Sequence, residues 1–332
     1  MSLFVKTAST FARKMALRQV AARTLSSGPY DIKTVGVVGL GSMGHGVAQL
    51  SAASGFQVCV SETSPESLAK GVAAIEKSLT FLAGKRVAKG LLEQEAADVE
   101  VAATMSRISG QVGLDQVTAE ADLVIEAIVE DLSIKLPFFN ELGQRTKPTA
   151  ILATNTSSYS VAEMAAASGV PERVCGLHYF NPVQVMKLVE VVKTEETNPE
   201  VIAAVTDFVK ATKKVPVDCS DTPGFIVNRL LVPYMLQAIG MVARGDASAP
   251  DVDTGMQLGA GHPMGPITLA DYVGLDVVMA IMDGWTSKYP DNPAFQCPEA
   301  VALIEEKVTQ GHLGRKCGHG FFRWEGNKCL GV

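Results

Sequence analysis

An apolar run from Thr34 to Leu40 enters the glycine turn Gly39-Leu40-Gly41-Ser42-Met43-Gly44, and a helical segment then continues to near Gly55. No other feature limits the fold as strongly. A strand that is apolar throughout is covered on both faces, as in parallel sheets. The glycines suit a turn where chains approach closely: Gly39 permits the bend, Gly41 admits a pyrophosphate to the backbone, and Gly44 lets the helix pack on the strand. Unpaired amides and the positive end of the helix dipole then face the phosphates. A G-x-G-x-x-G taken alone is weak evidence. Its meaning here comes from the strand before it, the helix after it and an acid at the expected distance. That acid is Glu62, at the carboxyl end of the next strand, Gln57 to Ser61. Its carboxylate suits both ribose hydroxyls and repels a 2′-phosphate, so NAD is expected rather than NADP. The ordinary readings are a plain strand-to-helix turn for the glycines and a solvated loop acid for Glu62.

The alternation of strands and helices continues. Pro65 opens a long helix to about Gly84 with Leu68, Val72, Ile75, Leu79 and Leu82 on one stripe. Asp122 to Ile128 reads as a buried strand, Leu132 to Thr146 as a helix and Ala150 to Thr154 as a strand. Shorter strands follow at Val174 to His178, Lys187 to Val192 and Lys214 to Asp218. After Asp221-Thr222-Pro223-Gly224 the strand signals almost vanish. Helical segments take over at Phe225 to Arg244, Asp251 to Leu258, Leu269 to Tyr289 and Glu299 to Gln310. The expectation is an α/β chain: a Rossmann-type, mostly parallel sheet domain over residues 30–220, then an all-helical domain over 221–332. The apolar excess of the second domain points to a face covered by a second copy of the chain.

A length of 332 residues accommodates about two domains of the usual ~150 residues. A net charge of -6 argues against a nucleic-acid partner, which requires a clustered basic excess. The longest apolar stretch, Leu230 to Ala243, is shorter than the ~20 residues of a membrane span. The six cysteines show neither a C-x-x-C pair nor a zinc spacing, so no metal is expected and the thiols read as reduced. Residues 1–28 stand apart: Lys6, Arg13, Lys14, Arg18 and Arg23 are basic, hydroxyls are frequent and the first acid is Asp31. This is the composition of a mitochondrial transit peptide. The alternative is a solvated tail.

Of the five histidines, His178 ends a strand and runs into the turn Asn181-Pro182. Ligands of open parallel sheets gather at such strand ends. Glu190 interrupts the apolar run Leu188-Val189-Glu190-Val191-Val192, and a carboxylate there needs a partner. Pairing the two explains both, because the carboxylate fixes the imidazole tautomer while the ring takes a hydroxyl proton. Singly, His178 reads as a satisfied structural histidine and Glu190 as an edge-strand acid. Thr154-Asn155-Thr156-Ser157-Ser158 ends another strand, within reach of the same crevice or as a helix cap.

The segments VGVVGLGSMGHGVAQ, DLVIEAIVED, ATNTSS, GLHYFNPVQVMKLVEVV, DTPGFIVNRLL, LGAGHPMGPITLADYVGLD and GRKCGHGFF resemble the short-chain L-3-hydroxyacyl-CoA dehydrogenases of fatty-acid β-oxidation. The resemblance runs from about Lys33 to Trp324. It implies that His178 is the base, Glu190 its partner, and Ser157 and Asn228 the holders of the substrate oxygen. It further implies cofactor contacts at Glu130, Lys135, Ser157, Asn181 and Lys316, and coenzyme A contacts at Ser78, Lys85 and Ser157. Without it, Lys85 reads as a solvated helix end. The activity so implied is NAD-dependent oxidation of (S)-3-hydroxyacyl-CoA by a homodimer of the mitochondrial matrix. A dehydrogenase of small hydroxy or sugar acids on the same scaffold, and a catalytically silent NAD-binding protein, stand as alternatives. Three departures from the family pattern are Glu62, where aspartate is usual, Tyr159, where an aliphatic residue is usual, and Phe81 with Gly84, in a helix that is more basic in some relatives.

Overall fold

A computed structural model describes residues 30–331, so the transit-like segment 1–28 lies outside the described residues. The chain forms two compact units that divide between Thr222 and Pro223. The first begins with strand β1 (Thr34–Val38), helix α1 (Gly44–Ala53), β2 (Gln57–Glu62) and α2 (Pro65–Ala88). It continues with α3 (Gln94–Met105), β3 (Ile108–Val112), α4 (Asp115–Glu120) and β4 (Leu123–Glu126). Next come α5 (Leu132–Arg145), β5 (Ile151–Thr154), α6 (Val161–Ser168) and β6 (Val174–Tyr179). It closes with β7 (Leu188–Lys193), α7 (Pro199–Ala211) and β8 (Val215–Ser220).

The eight strands form one sheet in the order β3-β2-β1-β4-β5-β6-β7-β8. Among the described residues the neighbours run parallel except β6 and β7, which are antiparallel. Reversal of strand order on either side of β1 opens a crevice at its carboxyl end, the place where such sheets bind ligands. The reason for the central strands is visible in their burial: Val35, Val37, Ile125, Leu152 and Val191 are all 0% exposed, and apolar side chains cover both faces. Helix α2 starts where Ser64 accepts the amide of Ser67 at 3.1 Å and Pro65 occupies the first turn. It runs past Gly84 to Ala88, further than the glycine suggests, because that glycine lies on an exposed face with nothing near it. Strand β3 carries no alternating or apolar pattern, since it is a largely exposed edge strand.

The second unit contains α8 (Val227–Ala243), α9 (Ala249–Ala260), α10 (Pro266–Val273), α11 (Leu275–Lys288) and α12 (Pro298–Thr309). Its core gathers Ile239, Ile267, Val278, Trp285, Phe295 and Ile304. The single helix expected over 269–289 is broken at Gly274, whose φ of +107° ends one helix and begins the next. The unit ends in a hairpin, β9 (Arg323–Glu325) with β10 (Lys328–Gly331), which helical periodicity does not announce. Buried Asp271 accepts the amides of Phe321 and Phe322 at 2.8 and 2.9 Å and the Trp324 indole at 3.0 Å. A Cβ on Gly320 would lie 2.1 Å from the Asp271 carboxylate, so the GHGFF segment is shaped to wrap that acid.

Candidate active site

At the end of β1 the chain bends at Gly39, whose φ is +88° and whose missing Cβ would fall 2.6 Å from the carbonyl oxygen of Ala127. Gly44 opens α1 so close beneath it that a Cβ would lie 1.7 Å from the Gly39 carbonyl oxygen. Gly41, between them, is exposed and has nothing within 4 Å of the Cβ position. The turn is therefore tight on its inner side and open on its outer side, the shape a pyrophosphate requires. Leu40 is buried, Ser42 exposed and Met43 half-buried. Glu62 ends β2 and accepts the Leu40 amide at 2.6 Å, which brings the carboxylate onto the turn. A dinucleotide fits this arrangement, with phosphates at the open amides and a ribose at the acid. Saturation with NAD is expected at concentrations at least tenfold below those for NADP, about 1.4 kcal/mol in binding. Equal efficiency with both cofactors in initial-rate measurements would remove this role for Glu62.

Three strands further along, His178 and Glu190 face each other directly as cross-strand partners of β6 and β7. Nδ1 of His178 lies 2.6 Å from Oε2 of Glu190, with the histidine 5% exposed and the glutamate 0%. An ionised carboxylate only accepts, so Nδ1 carries the proton and donates it, and Nε2 is the nitrogen able to accept one. Strand β7 lies between β6 and β8, so Glu190 occupies the sheet interior rather than an edge. The ring of Phe180 packs against the imidazole with centroids 4.4 Å apart.

The hydroxyl cluster after β5 is not uniformly available to a ligand. Thr154 donates to Glu126 at 2.7 Å and Thr156 to Glu130 at 2.6 Å. Asn155 accepts the Tyr179 amide at 2.9 Å, fixing the chain just past His178. Ser157, half-buried, donates its backbone amide to Glu130 at 3.1 Å, and its hydroxyl is 3.1 Å from that of Ser158. Lys135 is 1% exposed, and its amine sits 2.6 Å from Glu126 and 3.1 Å from Glu130. Sequence reasoning missed Glu126, although an acid closing the apolar strand Leu-Val-Ile-Glu was a visible signal.

Asn181 is exposed at the turn after β6. Ser78 and Lys85 lie two turns apart on one side of α2. Gln184 approaches Ser78 at 3.5 Å, and the Lys85 amine stands 4.3 Å from the Phe81 ring centroid. In the second unit, Asn228 is half-buried in the first turn of α8, and exposed Lys316 pairs with Asp276. Burial pushes the Cys59 and Cys175 thiols up to about 12, which removes these two as nucleophiles. Among the described residues no group of three or more His, Cys, Asp or Glu is arranged to hold a metal, and no helix is long and apolar enough to cross a membrane.

Comparison with known proteins places the chain in a family. Residues 34–222 match the family described as 3-hydroxyacyl-CoA dehydrogenase, NAD binding domain, and residues 224–324 match its C-terminal domain. The chain is 42% identical over 318 residues to the human mitochondrial hydroxyacyl-coenzyme A dehydrogenase, covering 95% of this chain and 99% of the relative. It is 43% identical over 289 residues to a probable 3-hydroxybutyryl-CoA dehydrogenase of Deinococcus radiodurans, covering 87% and 99%. The crystal structure of (S)-3-hydroxybutyryl-CoA dehydrogenase from Ralstonia eutropha superposes with a TM-score of 0.81 at 35% identity, covering 89% of this chain and 100% of that one.

Proposed function

The chain belongs to the 3-hydroxyacyl-CoA dehydrogenase family and is an NAD-dependent oxidoreductase of 3-hydroxyacyl-CoA, and on that premise we propose that His178 is its general base, oriented by Glu190. The observation that carries this reading is the 2.6 Å contact between the two side chains at the sheet interior. His178 takes the 3-hydroxyl proton at Nε2, and Glu190 holds the Nδ1 proton and balances the imidazolium that forms. Bound NAD supplies the acceptor for the hydride that leaves C3, and the substrate becomes a 3-ketoacyl thioester. Ser157 holds the substrate oxygen in both directions, a role the family resemblance also gives to Asn228. Gly39 to Gly44 and Glu62 anchor the pyrophosphate and ribose, with Glu130, Lys135 and Asn181 as further cofactor contacts; the family resemblance also gives Lys316 a cofactor contact. Ser78 and Lys85 meet coenzyme A, where a lysine pairs with a nucleotide phosphate.

Residues 30–220 serve as the NAD-binding domain and residues 221–332 as the domain that binds substrate and joins two copies. Leu230, Leu258, Tyr272 and Val277, all exposed on the second unit, supply an apolar surface for that contact. Residues 1–28 direct the chain to the mitochondrial matrix for fatty-acid β-oxidation. Support comes from the segment's basic, acid-poor composition and from mammalian relatives described as mitochondrial. The test is NADH oxidation with acetoacetyl-CoA against the same assay with free acetoacetate. The thioester is expected to exceed the free acid in kcat/KM by about 10²-fold or more, because coenzyme A supplies binding energy remote from C3. A preference for the free acid would overturn the substrate reading, and absence of any turnover would overturn the enzymatic one.

A further inference from the structure

Glu126 closes the otherwise apolar strand β4, is 0% exposed, and has no part in the proton or hydride movements described above. A carboxylate at that depth persists only when its oxygens are met by donors. Oε1 accepts from the Lys135 amine at 2.6 Å and the Ile128 amide at 2.8 Å, and Oε2 accepts from the Thr154 hydroxyl at 2.7 Å. Lys135 also reaches Oε2 of Glu130 at 3.1 Å. Oε1 of Glu130 then accepts the Thr156 hydroxyl at 2.6 Å and the Ser157 amide at 3.1 Å. The contacts form one continuous path from the buried end of β4 to the loop that follows β5.

Stability alone does not explain such a path. Leu123, Val124 and Ile125 fill the same strand with apolar side chains, and a buried ion pair is on balance a weak source of stability. What the pair does supply is direction. A lysine has a long, freely rotating stem, and here its amine is held between two carboxylates, one at the end of β4 and one within the loop 127–131. We propose that Glu126 is a positioning residue: through Lys135 it fixes Glu130 and the Ser157 amide, setting the loops after β4 and β5 in one arrangement at the strand ends where nicotinamide and the 3-oxygen of the substrate meet. The inference rests on the reading of Glu130 and Ser157 as site residues. It assigns to Glu126 a task that no contact with substrate or cofactor performs.

The experiment compares the parent enzyme with Glu126→Gln and with the double variant Glu126→Gln/Lys135→Met. Each is titrated calorimetrically with NADH and with ADP-ribose, which carries the portion anchored by the glycine turn and Glu62 but lacks nicotinamide. Melting temperature and kcat with acetoacetyl-CoA are read in parallel. Both variants are expected to lose about tenfold in NADH affinity while ADP-ribose stays within about twofold. Their kcat is expected to fall on the order of 10²-fold, the usual cost of a small misplacement. The double variant, relieved of both buried charges, should melt near the parent temperature yet stay slow. A double variant that regains parental kcat along with parental melting would overturn the proposal, as would an unchanged ratio of NADH to ADP-ribose affinity. If Glu126→Gln alone does not fold, Glu126→Asp, which keeps the charge but draws the carboxylate back from Lys135, decides by the same ratio. A parent that binds neither ligand would overturn the site reading itself, a result distinct from a parent that binds both and variants that keep its ratio.

Discussion

His178→Gln is expected to reduce turnover of acetoacetyl-CoA by about 10²-fold or more, the contribution typical of a positioned general acid or base. That corresponds to about 3 kcal/mol of barrier. Glutamine keeps much of the size and the capacity to hydrogen-bond, but it does not take up and release a proton near neutral pH. NADH affinity should stay near the parental value, since the imidazole is assigned to the reacting oxygen and not to the pyrophosphate. Glu190→Gln should also slow turnover, for a different reason. An amide at that position offers a donor as well as an acceptor, so it no longer enforces the Nδ1-protonated tautomer and no longer balances an imidazolium. Its mark is an altered pH profile of kcat. Near-parental turnover in His178→Gln would end the assignment of the base.

The glycine turn separates two effects that usually arrive together. Gly44→Ala places a Cβ 1.7 Å from a backbone oxygen, a conflict that only movement of helix α1 relieves. Overpacking against backbone costs about 3 kcal/mol or more, which for a chain of this size lowers Tm by roughly 4 °C. NADH binding should be lost with it. Gly41→Ala meets nothing within 4 Å, so Tm should hold. Its Cβ occupies the approach to the pyrophosphate, and NADH affinity should fall by about tenfold or more. Thermal melts and NADH titrations of the two variants check this directly. Loss of stability in Gly41→Ala, or unimpaired NADH binding in it, would contradict the open outer side of the turn.

Much of the first unit was legible because its central strands are apolar on both faces and are punctuated by glycine, proline and acids at their ends. Val174 to His178 and the run around Glu190 are examples in which burial and chemistry leave marks in the same few letters. Strand β3, Ile108–Val112, left no such mark because an exposed edge strand has no obligation to be apolar. Gly84 and Gly274 show the same letter acting in opposite ways. One is passed over within α2, where its surroundings are empty, and the other ends α10 with a backbone angle that suits glycine. At the site, the threonines of Thr154-Asn155-Thr156 read as candidate ligands, but they are committed to Glu126 and Glu130. Nothing in a single sequence tells which of several neighbouring hydroxyls is already engaged, since the partners lie 26 or 28 residues away.

The antiparallel step between β6 and β7 has a consequence for how this reaction centre tolerates change. His178 stands opposite Glu190 because Gly176 stands opposite Val192 and Tyr179 opposite Val189. The alignment of His178 with Glu190 is thus a ladder property, held by main-chain hydrogen bonds that are indifferent to side-chain volume. Residue changes in the connection, residues 180–187, leave that ladder in place, within the limits set by buried Val183 and by the Lys214 amine, which donates to the Val183 and Met186 carbonyls. A single residue gained or lost inside either strand instead turns the carboxylate to the other face of the sheet. Variation is therefore better tolerated in the connection, while the His178–Glu190 pair can be altered only by replacing its side chains or by rebuilding the strands.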